Sequence, residues 1–138
     1  MKWNNIQFGE FEYEKEHVLH FPEGLFGFED LHKFILINDE QSEPFLWLVS
    51  LEDEQVSFPV LEPHALVPTY SLGTEDKGDT SLLVIVVLKN PLEESTVNMR
   101  SPIVIKNATQ EGKQIVLENE EYPFYYPLFQ QSTESTKG

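Results

Sequence analysis

The feature that most constrains the fold is a series of short apolar runs separated by turn-forming residues. The runs are rich in β-branched and aromatic residues, and several alternate apolar with polar positions, as strands do: NIQFG, FEYE, HVLHF, KFILI, FLWLVSL, SLLVIVVL, TVNM, PIVI and QIVLE. Turn signals lie between them in NDEQSEP, GTEDKGD, KNPLEES and NATQEGK. Since no long segment repeats with the 3.6-residue period of a helix, the sequence predicts an all-β fold with at most short helical turns.

One run is apolar at every position, LLVIVVL at 82–88. Successive strand residues face opposite sides of a sheet, so this run predicts a central strand covered on both faces. Many short strands with regular turns predict a single-domain antiparallel small barrel or barrel-like sandwich, with at least eight strands and less than about one tenth helix. We expect Trp47 and the 82–88 run in the core, one domain over 1–129, and a polar, mobile tail over 130–138.

The charge balance restricts the partners. The 138 residues include 24 acidic and 9 basic side chains, for a net charge of −15, and Arg100 is the only arginine. Phosphate backbones and anionic membranes attract clustered Lys or Arg, so we expect neither direct nucleic-acid binding nor membrane binding. A basic protein would be steered toward the chain, although acidity also serves solubility alone. The opening residues lack the apolar region of a secretory signal, so we expect a cytoplasmic protein.

Motifs that carry chemistry are weak. There is no cysteine, and His17 and His20 should face opposite sides of a strand, so we expect no metal site and no cofactor. The segment GTEDKGDT has the glycine spacing of a phosphate loop, but Asp79 replaces the lysine, and Glu75 and Asp76 would repel phosphate. A surface hairpin is the better interpretation. Without a nucleophile motif we favour a binding protein that is not an enzyme; the alternative is a small acidic β-barrel enzyme with paired carboxylates acting on a cationic or sugar ligand.

The stretch FPEGLFGFED, 21–30, places apolar side chains beside two glycines and three carboxylates. In one interpretation it is a tight turn in which Phe21 and Phe28 plug one end of a barrel. In the other, Leu25 and Phe26 form an exposed contact. The polar rim of that contact consists of Glu23, Glu29 and Asp30. The late segment EYPFYYP offers the same choice, because Phe124 and Tyr126 could close the core or anchor a partner.

Several motifs in order resemble the flagellar assembly factor FliW family: GLFGFE at 24–29, PFLWLVSLED at 44–53, FPVLEP at 58–63, TVNMRSPI at 96–103, then GKQIVL and Tyr122. The resemblance spans about residues 3–128. Two positions depart from the family pattern: Met99 replaces the usual leucine, and Val49 replaces a common polar glutamine, so a side-chain hydrogen bond of relatives would be missing there.

The resemblance implies a regulator that binds flagellin in the cytoplasm and, when free, binds CsrA, a basic dimeric mRNA-binding protein, thereby relieving repression of flagellin mRNA translation. The candidate partner-binding residues combine the turn, two acidic loops and the late aromatics. They are Glu23, Leu25, Phe26, Glu29, Asp30, Glu52, Asp53, Glu54, Glu75, Asp76, Asp79, Phe124 and Tyr126.

Overall fold

The computed structural model describes residues 1–42, 44–72 and 79–129. Eleven strands follow one another along these residues: β1 Lys2–Asn5, β2 Gly9–Glu12, β3 Leu19–His20, β4 Lys33–Asn38, β5 Leu46–Ser50, β6 Ser57–Leu61, β7 Thr80–Val87, β8 Thr96–Val97, β9 Ile103–Lys106, β10 Glu111–Gln114 and β11 Tyr126–Pro127. The helical segments of this part of the chain are four single turns of 3₁₀ helix, Lys15–His17, Glu40–Ser42, Pro63–Ala65 and Leu92–Glu94. The predicted all-β class is confirmed.

Seven of the strands close into a barrel. Going around the ring, β3, β4, β5, β6, β7, β9 and β10 each pair with the next, and β10 returns to β3. The pairs are antiparallel, except that β10 runs parallel to β3 where Glu111 lies opposite His20. Strand β7 makes the closure possible because its first half pairs with β9 while Val86 and Val87 pair with β8 on the same edge. The predicted small barrel is therefore confirmed.

The barrel interior is filled by side chains from alternating strand positions. Its buried members are Leu19, Phe21, Leu25, Phe34, Leu48, Val60, Leu83, Ile103 and Ile105. The rings of Phe21 and Phe34 meet edge to face with centroids 5.3 Å apart. Gly112 of β10 is required beside them, because a Cβ there would lie 2.5 Å from Phe21 Cε2. This core fixes the orientation of the turn that follows Phe21.

Two further apolar clusters cover the outside of the barrel. The β1–β2 hairpin packs Trp3, Phe8 and Phe11 over Ile35 and Val49 of β4 and β5. Outside β6 and β7, segments before β7 and after β8 enclose a larger group, which contains Leu61, Tyr70, Val84, Val86, Val97, Met99, Leu117 and Leu128. Both family departures are accommodated in these clusters, since Val49 and Met99 are fully buried.

Two predictions about the core need correction. Trp47 is only partly buried, because it alternates with the inward-facing Leu48 and lies on the outer face of β5 under the hairpin. The 82–88 run is covered on both faces as far as Val86, but Val87 and Leu88 are 45% and 41% exposed. Strand β7 extends beyond the barrel there, so the last residues of the apolar run are exposed to solvent.

The remaining expectations about chain organisation concern the ends. The predicted tail, 130–138, lies outside the described residues, and the domain limits stay a prediction. Within the described residues, no helix has the length and apolar character needed to cross a membrane.

Candidate protein-binding surface

The segment Gly24–Phe28 forms a tight turn at one end of the barrel. Phe28 N–H donates to Leu25 O at 2.7 Å, and Leu25 N–H donates to Phe28 O at 3.3 Å. Gly27 has φ +87°, which places a glycine at the third position of a type II turn, where a positive φ is required. Gly24 has φ +69°. Both glycines thus supply the left-handed backbone angles that the sequence predicted.

The buried and exposed apolar side chains of the turn differ from those predicted. Phe26 is 51% exposed, as the contact interpretation expected, but Leu25 is 1% exposed and belongs to the barrel core. Phe28, which was expected to plug the barrel, is 38% exposed and lies edge to face on Phe58 at 5.0 Å. The physical reason is volume: the Phe21 and Phe34 rings already occupy the interior, so the smaller Leu25 fills the remaining space and Phe28 stays at the rim.

A buried glutamine holds the exposed turn in place. Phe26 N–H donates to Gln114 Oε1 at 2.9 Å, and Gln114 Nε2 donates to Ser101 O at 3.1 Å. Gln114 is 7% exposed and lies 88 residues from Phe26 in sequence. The turn is therefore anchored to β10 rather than free to collapse, which presents Phe26 in a fixed position. Sequence reasoning did not identify Gln114 as a site residue, although the GKQIVL motif contains it.

Further apolar surface adjoins the turn at the same barrel end. Phe28 is 38% exposed, and its ring lies edge to face on the partly buried Phe58 of β6. We call Phe26, Phe28 and Phe58 the barrel-end surface. Exposed apolar side chains that cluster in this way mark interaction sites more often than isolated ones do.

The three carboxylates predicted as a rim are all exposed, but one of them has a structural bond. Glu29 Oε2 accepts a hydrogen bond from Gly27 N–H at 3.1 Å, so this carboxylate stabilises the turn itself. Glu23 and Asp30 are exposed on either side of the turn. Glu29 therefore serves the local fold, and an acidic rim around Phe26 stays a prediction.

The first acidic loop, Glu52 to Glu54, is exposed, and two of its carboxylates accept backbone hydrogen bonds. Glu52 Oε1 accepts hydrogen bonds from the backbone N–H groups of His32, at 2.6 Å, and Lys33, at 3.3 Å. Asp53 Oδ1 accepts the N–H of Gln55 at 3.0 Å. Glu52 and Asp53 consequently support the chain around β4 and β5, besides contributing negative charge at the surface.

The second acidic loop is separated from the turn. Asp79 is exposed, and its Oδ1 accepts a hydrogen bond from Asn107 Nδ2 at 3.0 Å, whereas Glu75 and Asp76 lie outside the described residues. β9 starts opposite Gln114 and ends opposite Glu111, immediately before Asn107. Asp79 is therefore at the end of β9 that is remote from Gln114, and the structure does not bring it together with Phe26.

The late aromatics divide between surface and interior. Phe124 is 42% exposed and lies under the guanidinium of Arg100, with Cζ 4.8 Å from the ring centroid. Tyr126 is in β11 opposite Val97. It is partly buried and packs against the larger of the two outer clusters, which contains Val97. Tyr125, which sequence reasoning did not single out, is 75% exposed. The sequence of three successive aromatic residues does not indicate which ring faces solvent.

The segment that carries Arg100 is fixed by buried polar contacts. The Tyr70 hydroxyl donates to Met99 O at 2.7 Å, and Asn98 Oδ1 accepts the N–H groups of Arg100 and Ser101. Burial raises the pKa of Tyr70 well above the usual range for a phenol, and the neighbouring Tyr122 raises it further. The phenol is therefore a neutral, structural hydrogen-bond donor at physiological pH.

The described residues offer little support for the enzyme alternative, which requires carboxylates that converge in a pocket. A groove of about 360 Å³ lies on the outer face of β9 and β10, but its acidic residues Glu23 and Glu111 share it with Lys106 and Lys113 and with aliphatic side chains. Among these residues no group of three or more His, Asp or Glu is placed to hold a metal ion.

Comparisons with known proteins agree with the geometry. A family model described as FliW protein matches residues 2–128. The chain is 35% identical to the flagellar assembly factor FliW of Caldanaerobacter subterraneus subsp. tengcongensis over 95% of both chains. It is 38% identical to that of Thermosipho africanus, over 93% of this chain and 95% of the relative. A crystal structure of the flagellar assembly factor FliW superimposes with a TM-score of 0.84 at 28% identity, covering 96% of this chain and 99% of the other. The chain therefore belongs to the FliW family of flagellar assembly factors.

Proposed function

We propose that this protein is a non-enzymatic cytoplasmic regulator that binds flagellin and, when free of flagellin, binds CsrA. Binding of CsrA would release the flagellin mRNA from repression, so that translation rises as flagellin is consumed. Membership of a family of flagellar assembly factors supports this proposal at the level of the process. The identity of the two partners rests on the resemblance described above.

The observation that carries the proposal is the exposed Phe26 on an anchored turn. Phe26 is 51% exposed, although the neighbouring Leu25 is fully enclosed. The Gln114 bond and the positive φ of Gly27 hold the turn without help from a partner. An aromatic side chain that is already fixed loses little conformational entropy on binding, which is a property of interface hot spots. We therefore assign Phe26 and its neighbours on the barrel-end surface to protein binding.

The acidic surface supports the CsrA part of the proposal. A protein with a net charge of −15 attracts a basic RNA-binding partner and disfavours RNA itself. Glu23 and Asp30 are exposed and flank the turn in sequence, while Glu54 and Asp79 are exposed members of the two acidic loops. Charge reversal at single exposed positions, Glu54→Lys and Asp79→Lys, would show which loop faces CsrA. Only a reversal in the loop that faces CsrA should lower the association rate.

The test uses two adjacent residues of opposite burial. Phe26→Ala should weaken the binding of purified flagellin or CsrA by about 1–3 kcal/mol. Its free energy of unfolding should change by less than about 0.5 kcal/mol, because the ring has few contacts to lose. Leu25→Ala is the matched control: it empties a core position and should cost about 3–5 kcal/mol of stability. Isothermal calorimetry and urea denaturation on the same preparations provide both quantities.

Two results would count against the proposal. If wild-type protein binds neither flagellin nor CsrA at micromolar concentrations, the proposed partners are wrong. If Phe26→Ala binds both as tightly as wild type per folded molecule, the turn is not the contact. Phe124→Ala provides a second point, because that ring is also exposed but lies beside Arg100, not on the turn.

A further inference from the structure

Arg100 occupies an unusual position for a cation in an acidic protein. It is the only arginine in a chain with 24 carboxylate side chains, and a guanidinium in such surroundings ordinarily forms an ion pair. Its side-chain contacts are instead a backbone carbonyl and an aromatic ring. Nε donates to Tyr122 O at 2.5 Å, and Cζ lies 4.8 Å from the Phe124 ring centroid. Within the described residues, Arg100 forms no salt bridge.

These contacts orient the guanidinium without using its main binding edge. A guanidinium has five N–H groups, and the contact to Tyr122 involves the single one on Nε. One N–H group on each of the two terminal nitrogens can bind a carboxylate through two parallel hydrogen bonds. The backbone beneath is fixed as well, because Arg100 N–H donates to Asn98 Oδ1 and Arg100 O accepts from Leu117 N–H at 2.8 Å.

The surroundings of Arg100 are suited to a protein segment. Phe124 is 42% exposed and lies 4.8 Å from the Arg100 guanidinium, so it would exclude water from one side of an ion pair formed there. Gln114 joins this region to the barrel-end surface, since it bonds both Phe26 N–H and the carbonyl of Ser101, the residue after Arg100. An occupant of the turn could therefore extend to Arg100.

We propose that Arg100 is a carboxylate receptor that binds an aspartate or glutamate side chain of a partner protein, within a segment that also presents apolar residues. The inference deepens the proposed function and rests on it, since it assigns chemistry to part of the same binding surface. A single carboxylate would accept one hydrogen bond from each terminal nitrogen, and Phe124 would contact apolar residues beside that carboxylate in the partner segment. A nucleic acid is disfavoured as the occupant because its repeated phosphates would meet a net charge of −15.

The first experiment compares two neutral substitutions. Arg100→Gln removes the charge and the two-bond geometry, and Lys113→Gln removes one positive charge from the exposed part of β10 as the matched control. We expect Arg100→Gln to weaken the affinity for flagellin or for CsrA about tenfold or more, and Lys113→Gln to change both less than about twofold. Arg100→Lys should restore only part of the affinity, because an ammonium lacks the planar pair of donors. Urea denaturation of each variant gives the folded fraction, so affinities are compared per folded molecule.

The second experiment does not depend on the identity of the partners. An acetylated peptide of alternating leucine and glutamate is titrated into ¹⁵N-labelled protein while the Arg100 Nε–H signal is followed by NMR. The same peptide with glutamine in place of glutamate is the control. We expect saturable shifts of the Arg100 signal with the glutamate peptide, and loss of the response of neighbouring backbone signals in Arg100→Gln. A purely structural role for Arg100 would not distinguish the two peptides.

The outcomes separate the two proposals. Wild-type protein that binds neither flagellin nor CsrA refutes the proposed function, and the peptide titration then decides the role of Arg100 alone. Unchanged affinity of Arg100→Gln for both partners overturns the inference while leaving the proposed function standing. Equal shifts with the glutamate and glutamine peptides, or none with either, also overturn it.

Discussion

The two glycines of the turn provide the sharpest test of the geometry, because they differ in the space available to a Cβ atom. Gly24 and Gly27 both have positive φ, 69° and 87°. A Cβ at Gly27 would have no heavy atom within 4 Å, whereas a Cβ at Gly24 would lie 2.6 Å from Glu29 Cα and 2.6 Å from Phe28 O. Alanine at either position therefore meets the same kind of backbone strain, but only alanine at Gly24 collides with the chain.

The expected losses of stability follow from that difference. A left-handed alanine costs about 1–2 kcal/mol, and the reduced freedom of the unfolded chain returns about 0.4–1 kcal/mol. Gly27→Ala should thus lower the free energy of unfolding by about 1 kcal/mol. The Gly24→Ala collision involves backbone atoms that cannot rotate away, so the turn must shift and withdraw Leu25 from the core. Partial loss of that burial raises the cost to about 3 kcal/mol or more.

Urea denaturation followed by tryptophan fluorescence measures both variants. Partner binding is then measured under conditions in which both variants are folded. If Gly27→Ala binds the partner as wild type does and Gly24→Ala binds it more weakly, the position of Leu25 controls how Phe26 is presented. Equal losses of stability for the two variants would refute the reasoning, because the backbone collision would then have no energetic consequence.

Two further predictions concern the buried phenol and the acidic surface. Tyr70→Phe removes the bond to Met99 O and should lower the free energy of unfolding by about 1–2 kcal/mol near neutral pH, measured by urea denaturation. Burial raises the folded-state pKa of Tyr70 above the value of about 10 in the unfolded chain. The contribution of the neutral phenol is therefore complete below about pH 10 and is lost as pH rises through the folded-state pKa, so wild type should lose stability relative to Tyr70→Phe above about pH 10; a pH-independent difference would contradict this. Association with CsrA, followed by stopped flow, should slow as NaCl concentration rises, because the acidic surface steers a basic partner; a rate that is insensitive to salt would rule out steering.

The strand pattern predicted much of the fold because alternation is a local property. The apolar runs became strands, and the run at 82–88 faces the barrel core through Leu83 and the outer cluster through Val84 and Val86. The same local rule cannot say which side of a strand is the inside of a barrel. Trp47 was expected in the core, but it faces outward because Leu48 has the inward position. The error came from assuming that a large apolar side chain must be deeply buried.

The candidate site was predictable in part for the same reason. The glycines in GLFGFE indicated a turn with positive φ, and the exposure of Phe26 agrees with one of the two interpretations. The assignments of Leu25 and Phe28 were reversed. Which of them enters the barrel depends on how much space the Phe21 and Phe34 rings leave, and that volume is set by strands from four other parts of the chain.

The amino-acid sequence by itself determined the all-β class, the strong acidity and the membership in the FliW family, because periodicity, charge and ordered motifs are all contained in neighbouring residues. Only the tertiary structure decided that Gln114 anchors a turn 88 residues earlier and that Arg100 rests on Phe124 without an acidic partner in the described residues. These contacts arise from closure of the barrel and from packing of the chain after β10 against it. Their formation depends on shape and volume across the whole molecule, and no local pattern encodes those quantities.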